Sequence, residues 1–243
     1  MSTEQNVQMQ KFDGTRAAEY EHQSRIALAG YEACHELSAC MLVATIGQSA
    51  EAEVLVAGAG GTAQEIVTIA ALRPFWTFTA VDPSKPMLDL AQAKLKERNL
   101  SHRVKTHLGD VSDLGELASF EAATLIGVLH HVAGYEKKLS LLRSISTRMK
   151  PNAPFILACN HYAYGEEPLM LKAWSERWRM AGTSEEDVQA KLSKILEGAD
   201  PPRSEEDVFA LLQVSGFRQP KRFFSSLFWG AWISFAPSIS RQY

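Results

Sequence analysis

A glycine-rich turn after an apolar run is the part of the sequence best suited to bind a ligand. Residues 54–57 are small and apolar, which predicts a buried parallel strand, and Gly58, Ala59 and Gly60 follow directly. Because glycine has no Cβ, backbone N–H groups in such a turn can approach a bound molecule closely. Gly58, Gly60 and Ala63 fit a G-x-G-x-x-A pattern, which favours a nucleoside site but also fits a tight turn without a ligand.

An aspartate follows the next predicted strand, about twenty residues further along the chain. Asp82 and Pro83 lie at the carboxyl end of the apolar run 76–81. A carboxylate in this place can accept hydrogen bonds from the hydroxyls of a ribose. An aspartate before proline is also an ordinary turn former, and its pairing with the glycine turn favours the ribose role.

Two further strand ends carry residues that could contact the same ligand. Asp110 follows the third predicted strand, where it could accept the adenine amino group or cap a helix. Gly127 ends the fourth predicted strand and again permits close approach of a ligand. The carboxyl ends of parallel strands lie on one edge of a sheet, where open α/β sheets bind their ligands.

Alternating strands and helices are needed to position these residues. We expect strands over residues 54–57, 76–81, 103–108, 123–128 and 155–158, and helices over 63–72, 86–98 and 135–149. This alternation predicts an α/β fold with a doubly wound, mostly parallel, Rossmann-like sheet. An aromatic tail over 223–235 predicts a closing antiparallel hairpin, which brings the sheet to seven strands.

A chain of 243 residues with 46% apolar content predicts one domain. Residues 15–46 predict amino-terminal helices whose apolar stripe is Ile26, Ala29, Ala33, Leu37, Cys40 and Ala44. The predicted parts are a helical cap (1–50), a cofactor-binding core (51–160), a helical lid inserted over the ligand-binding edge (161–200), and a carboxyl-terminal helix with strands (201–243).

Charge and cysteine content exclude several classes of function. The net charge of −3 gives no general attraction to nucleic acid or to an anionic membrane, and no run of 18 apolar residues occurs. Cys34, Cys40 and Cys159 are odd in number and lack metal-ligand spacing, so we expect free thiols, no metal and a cytoplasmic location.

The motifs together resemble those of the class I S-adenosylmethionine-dependent methyltransferases. The resemblance is carried by residues 54–62, Val81-Asp82-Pro83-Ser84, Gly109-Asp110-Val111 and residues 125–132. Phe12-Asp13, Tyr20, Gly30-Tyr31 and the aromatic tail make the chain similar in particular to the branch that contains carboxy-S-adenosylmethionine synthase. The resemblance implies S-adenosylmethionine as cofactor and a small-molecule methyl acceptor, and it is compatible with a homodimer.

Each site residue implied by this resemblance has a part of the cofactor assigned to it. Gly58, Ala59 and Gly60 would lie along the methionine and ribose portions, and Asp82 would bind the ribose hydroxyls. The adenine would contact Pro83, Asp110 and Val111, whereas Ile126 or Gly127 and the ring of Tyr31 would lie against the cofactor.

Three departures from the family pattern matter. Val56 stands where an acidic residue is common, and Thr62 replaces the third glycine of the turn. Carboxy-S-adenosylmethionine synthases use a lid arginine that aligns with Leu192, and neither Lys191 nor Lys194 can make its planar two-pronged contact. Ordinary methyl transfer is therefore favoured over a carboxy-S-adenosylmethionine synthase-like tRNA-modification enzyme.

His130, His131 and His161 lie near predicted strand ends and are candidates for a catalytic base, although structural or solvated histidines would fit the same positions. An NAD(P)-dependent oxidoreductase would fit the glycine turn and Asp82. It would not explain the amino-terminal helices or the two adjacent histidines, and the chain lacks a Tyr-x-x-x-Lys arrangement. A non-catalytic module that senses the cofactor is a third hypothesis.

Overall fold

The computed structural model describes residues 14–47, 51–115 and 119–238. Its seven strands are β1 (Glu53–Ala57), β2 (Thr77–Asp82), β3 (Val104–Leu108), β4 (Ala122–Ile126), β5 (Pro154–Asn160), β6 (Arg218–Ser226) and β7 (Trp229–Phe235). They form one sheet in the order β3-β2-β1-β4-β5-β7-β6, in which β1 to β5 are parallel and β7 is antiparallel to both of its neighbours. The predicted mostly parallel, seven-stranded sheet is confirmed.

Eight α-helices flank this sheet within the described residues. They are α1 (Gly14–Ala27), α2 (Tyr31–Ile46), α3 (Gln64–Leu72), α4 (Lys85–Glu97), α5 (Tyr135–Ser146), α6 (Pro168–Met180), α7 (Glu185–Gly198) and α8 (Glu205–Val214). The segment Phe12-Asp13, which the family resemblance included, lies outside the described residues.

Both faces of the sheet are covered, which explains the continuous apolar sequence of its central strands. In β1, Val54 and Val56 pack in the core beneath α2 and α3, whereas Leu55 and Ala57 pack in the core beneath α5 and α8. Successive side chains of a strand point to opposite faces, so a strand buried on both sides needs apolar residues at every position.

The buried face of α2 differs from the predicted stripe. Leu37 is 43% exposed, and the predicted members Ala33 and Cys40 are exposed as well. Instead the helix buries Tyr31, Cys34, His35, Ser38, Ala39 and Leu42. The prediction was wrong because two of the buried residues are polar: the Ser38 hydroxyl donates to the Cys34 carbonyl at 2.6 Å, and His35 Nδ1 lies 2.8 Å from the Tyr31 carbonyl.

Several element boundaries also differ from the sequence predictions. Strand β4 ends at Ile126, two residues early, because Gly127 adopts a left-handed conformation with φ of 79°. Helix α5 ends at Ser146, before residue 149, and β6 begins at Arg218, before residue 223. The tail nevertheless forms the predicted antiparallel hairpin.

Helices α6 and α7, the predicted lid, pack against α1 through a separate apolar cluster. Trp174 and Trp178 contact Ile26, Val188 and Phe228 in this cluster. The Trp174 indole N–H donates to the Ala27 carbonyl at 2.7 Å. The lid is therefore held against the end of α1 by apolar packing and by this hydrogen bond.

The three cysteines are free thiols, as predicted; Cys34 and Cys159 are buried and Cys40 is exposed. Among the described helices, none is both long and apolar enough to cross a membrane.

The stacked pair of Phe155 and Phe217 tests the core beneath α5 and α8. Their ring centroids lie 4.4 Å apart, and the residues are 0% and 1% exposed. We expect Phe155→Ala to lower the free energy of unfolding by about 3–5 kcal/mol in urea denaturation, because it leaves a cavity. Phe75→Ala, at a residue that is 78% exposed, is the matched control and should change it by less than about 0.5 kcal/mol.

Candidate functional site

A cavity of about 350 Å³ opens at the carboxyl ends of β1, β4 and β5. This volume is within the range of about 300–1,000 Å³ that small-molecule sites occupy. The cavity has three walls: the strand ends with the glycine turn, the amino-terminal helices, and the lid. Its lining residues among those predicted for the site are Tyr31, Gly58, Gly60, Ile126, Gly127, His130 and His131.

Asp82 fastens the glycine turn to the end of β2. Its Oδ2 accepts the Gly60 N–H at 2.9 Å, and its Oδ1 accepts the Ser84 N–H at 2.8 Å. Burial raises the pKa of this carboxyl, and the two backbone N–H groups partly oppose that rise because they stabilise the charged form. The glycine turn and Asp82, which the sequence prediction assigned to one site, are therefore in direct contact.

Glycine is required at two positions around the cavity. At Gly58, φ is 70° and a Cβ would collide with the side chain of Val128. At Gly60, a Cβ would lie 2.5 Å from both Asp82 Oδ2 and Met87 Cβ. The close packing of turn, aspartate and α4 thus depends on the missing side chains.

Tyr31, the first residue of α2, contacts the glycine turn. Its hydroxyl lies 2.7 Å from Thr62 Oγ1, and the Arg25 guanidinium lies 4.9 Å from the ring centroid. Thr62, which replaces the family's third glycine, therefore has a structural role of its own. Tyr20 also lies over the turn, because a Cβ on Gly61 would be 2.7 Å from its ring.

The residues predicted for the adenine, and two of those predicted for the methionine and ribose portions, lie beside the cavity. Ala59, Asp82, Pro83, Asp110 and Val111 do not line the cavity itself. The Gly109 N–H donates to the Asp82 carbonyl at 3.1 Å, and the charge of Asp110 contributes to the raised pKa of Asp82. These residues therefore share one edge with the glycine turn. The exposed Asp110 also begins the short 3₁₀ turn Val111–Asp113, in which the Asp113 carboxylate accepts its N–H at 2.8 Å.

The structure separates the three candidate histidines. His130 and His131 form the short 3₁₀ turn after β4 and line the cavity, with ring centroids 4.2 Å apart. His161 is 0% exposed, lies 3.1 Å from the Phe228 carbonyl through Nδ1, and does not line the cavity. Burial lowers the pKa of His161, which keeps it neutral. Of the three, the geometry favours His130 and His131 for contact with a ligand.

Sequence reasoning missed several residues that line the cavity. The notable polar ones are Glu65 and His35, on the amino-terminal side, and Asn160, at the end of β5. The signal for Glu65 was a carboxylate on an otherwise apolar helix, which is uncommon on a buried face. His35 and Asn160 had no comparable signal, because their neighbours come from distant parts of the chain. Across residues 14–47, 51–115 and 119–238, no group of three or more histidine, cysteine, aspartate or glutamate side chains could hold a metal ion.

The contact between Gly60 and Asp82 allows a test of the turn. We expect Gly60→Ala to lower the free energy of unfolding by about 1–3 kcal/mol in urea denaturation, because the new Cβ displaces Asp82 or Met87. Gly165→Ala is the control, since a Cβ added there would have nothing within 4 Å, and it should have an effect below about 0.5 kcal/mol. Equal stability of Gly60→Ala and the parent would contradict the observed packing.

Comparison with known proteins relates this geometry to a family. Residues 56–155 match a family model described as a methyltransferase domain. No curated protein sequence matches the chain significantly.

Solved structures share the fold at low sequence identity. An O-methyltransferase family 2 protein from Planctomyces limnophilus, in complex with apigenin, is 14% identical with a TM-score of 0.61, covering 82% of this chain and 55% of that one. The CurJ carbon methyltransferase is 14% identical with a TM-score of 0.66, covering 93% and 62%. PigF with SAH is 16% identical with a TM-score of 0.64, covering 95% and 61%.

This chain thus spans 55% to 62% of the length of these three neighbours. The matched segment runs from β1 to the start of β5 and includes the glycine turn, Asp82 and the histidine turn. Residues 56–155 are therefore similar to a methyltransferase domain, and the chain shares the Rossmann-like α/β fold of these solved structures.

Proposed function

We propose that this protein is an S-adenosylmethionine-dependent methyltransferase that transfers a methyl group to a small-molecule acceptor by in-line displacement. The observation that carries the proposal is the glycine turn, fastened by Asp82 beside a cavity that the lid covers. The methyltransferase-domain match over the same residues supports it.

The residues at the strand ends fit an adenosyl cofactor. Each Asp82 oxygen accepts one backbone N–H and retains a lone pair for a ribose hydroxyl. Gly58, Ala59 and Gly60 would hold the methionine and ribose portions. Pro83, Asp110 and Val111 would hold the adenine, with Ile126, Gly127 and Tyr31 against the cofactor. When bound, the cofactor supplies a methyl group already activated by its sulfonium charge.

The other half of the cavity fits an acceptor of small size with a flat or apolar body. Trp174, Trp178, Tyr164 and Trp229 contribute aromatic surface, and Asn160 contributes a polar group beside them. Aromatic walls with a few polar groups are typical of small-molecule sites. The neighbour in complex with apigenin is a methyltransferase-family protein that binds a molecule of this kind.

Alignment of the acceptor is the main task of the protein in such a transfer. Holding two reactants in the correct geometry can supply about 7–11 kcal/mol of the barrier reduction. The lid helices and the strand ends both line the cavity, so they are the elements that would position the acceptor. If the acceptor is a hydroxyl or an ammonium group, a base must also remove a proton, and His131 and His130 line the cavity where that base is needed.

Carboxy-S-adenosylmethionine synthase-like chemistry is the alternative within the same fold. Lys191 and Lys194 do line the cavity, which gives the lid positive charge. Lys191 Nζ already donates to Gln23 Oε1 at 3.1 Å, and a lysine cannot make the two parallel hydrogen bonds of a guanidinium. Methyl transfer therefore remains the better proposal.

Calorimetry separates the proposed cofactor from its main rival. We expect S-adenosylhomocysteine to bind and NAD to give no heat. Asp82→Asn should weaken S-adenosylhomocysteine by about 10–100-fold, because an amide cannot accept all the hydrogen bonds that a carboxylate accepts. Asp89→Asn, on the exposed side of α4, is the control. Binding of NAD but not of S-adenosylhomocysteine would overturn the proposal in favour of an oxidoreductase.

Turnover tests the role of the paired histidines, once an acceptor has been identified by a metabolite screen with labelled cofactor. For a hydroxyl or ammonium acceptor, we expect His131→Gln to lower kcat by about 10²–10⁴-fold, the usual contribution of a positioned base. His131 is more exposed than His130, whose ring packs edge-on against Trp229 with the ring centroids 5.1 Å apart. The exposed His102→Gln is the control, and undiminished turnover in both single variants, His130→Gln and His131→Gln, would reject a histidine base.

A further inference from the structure

The buried carboxylate of Glu65 lines the cavity together with residues of the amino-terminal helices, and it has no role in the mechanism above. Glu65 lies in the first turn of α3, directly after the glycine turn, and is 6% exposed. Acidic side chains are almost never buried to this extent without a partner. The identity of its partner is therefore informative about the ligand.

His35 is the basic group that faces Glu65 among the described residues, but no hydrogen bond joins the two side chains. His35 Nε2 lies 3.7 Å from Glu65 Oε2, beyond hydrogen-bond distance. His35 Nδ1 lies 2.8 Å from the Tyr31 carbonyl, which can only accept, so Nδ1 carries a proton and donates it there. The Glu65 carboxylate therefore accepts no hydrogen bond from the imidazole at this distance and can accept one from a bound group.

The surroundings of Glu65 favour a cation. Burial raises the pKa of the Glu65 carboxyl, and only His35 and the residue's own backbone N–H oppose that rise among the described groups. Burial raises the pKa of Tyr20 and Tyr31, and the negative charge of Glu65 adds to this rise; all three side chains line the same cavity. A carboxylate beside two aromatic rings is a combination that binds ammonium groups well.

We propose that Glu65 binds the ammonium group of the methionyl portion of the cofactor, an inference that rests on the proposed function. The position follows from the chain: the glycine turn that receives the methionyl portion continues directly into α3, and Thr62 of that turn contacts Tyr31 beside Glu65.

An ammonium group on the acceptor is the other source of the same chemistry. The acceptor half of the cavity carries Lys191 and Lys194 from the lid, whose charges would repel such a group. Glu65 lies in α3, which follows the glycine turn directly. The position of Glu65 next to the glycine turn, together with the two lysines that the lid contributes, therefore favours the cofactor as the source of the ammonium group.

The test compares two ligands that differ by the ammonium group alone: S-adenosylhomocysteine and its deamino analogue, in which hydrogen replaces that group. Calorimetry on the full chain should show that the parent protein prefers S-adenosylhomocysteine by about 10–100-fold, the usual effect of a charge-assisted hydrogen bond. Glu65→Gln keeps the shape of the side chain and should reduce this preference below about threefold, with binding of the deamino analogue unchanged.

Glu36→Gln, at an exposed position of the neighbouring α2, is the matched control and should keep the full preference. A parent protein that binds both ligands equally overturns the inference without any variant. Glu65→Gln that retains the preference overturns it as well, and assigns the carboxylate to the acceptor or to the fold. A parent protein that binds neither ligand overturns the proposed function itself, so the two failures are distinguishable.

Discussion

The hydrogen bonds accepted by the Asp82 carboxylate are the constraint on which the site depends. They join the turn after β1 to the end of β2, and so bring two parallel strands into one binding edge. The turn can come this close because Gly60 has no side chain to separate it from Asp82 and Met87. A buried carboxylate normally carries a large desolvation cost, and the backbone N–H groups offset that cost. The Asp82 carboxylate thus stabilises the turn and still retains lone pairs that a ligand could use.

Helix α1 connects the core of the domain with the lid. On one side of α1, the Glu21 carboxylate pairs with Lys94 of α4 at 3.1 Å. At the end of α1, backbone carbonyls accept hydrogen bonds from the side chains of Trp174 and Arg177 of α6. The surface ion pair contributes little by itself, whereas the burial of the two lid tryptophans is substantial. The cavity is therefore lined by elements that are distant in sequence, and they bring charges of both signs to it: Glu65 from α3, and Lys191 and Lys194 from α7.

The central parallel strands were predictable because a strand buried on both faces must be apolar throughout, and β1, β2 and β4 have that composition. Boundaries were less predictable, since they depend on single backbone conformations such as the left-handed Gly127 that ends β4. The face of α2 could not be predicted from apolar periodicity, because its buried side contains His35 and Ser38, whose polar groups are satisfied by local carbonyls. Likewise His161 looked equivalent to His130 and His131 by position, but hydrogen bonding to Phe228 places it behind the cavity.

The amino-acid sequence by itself determined the order of strands and helices, the glycine turn, and its pairing with an acid after the next strand. These features are local, or they recur at spacings that the geometry of a parallel sheet imposes. Only the tertiary structure decided which side chains face the cavity, because that depends on how α1, α2 and the lid pack over the strand ends. Glu65 shows the difference: its position in the sequence was visible, but its burial beside His35 and two tyrosines arises from contacts between helices that only folding brings together.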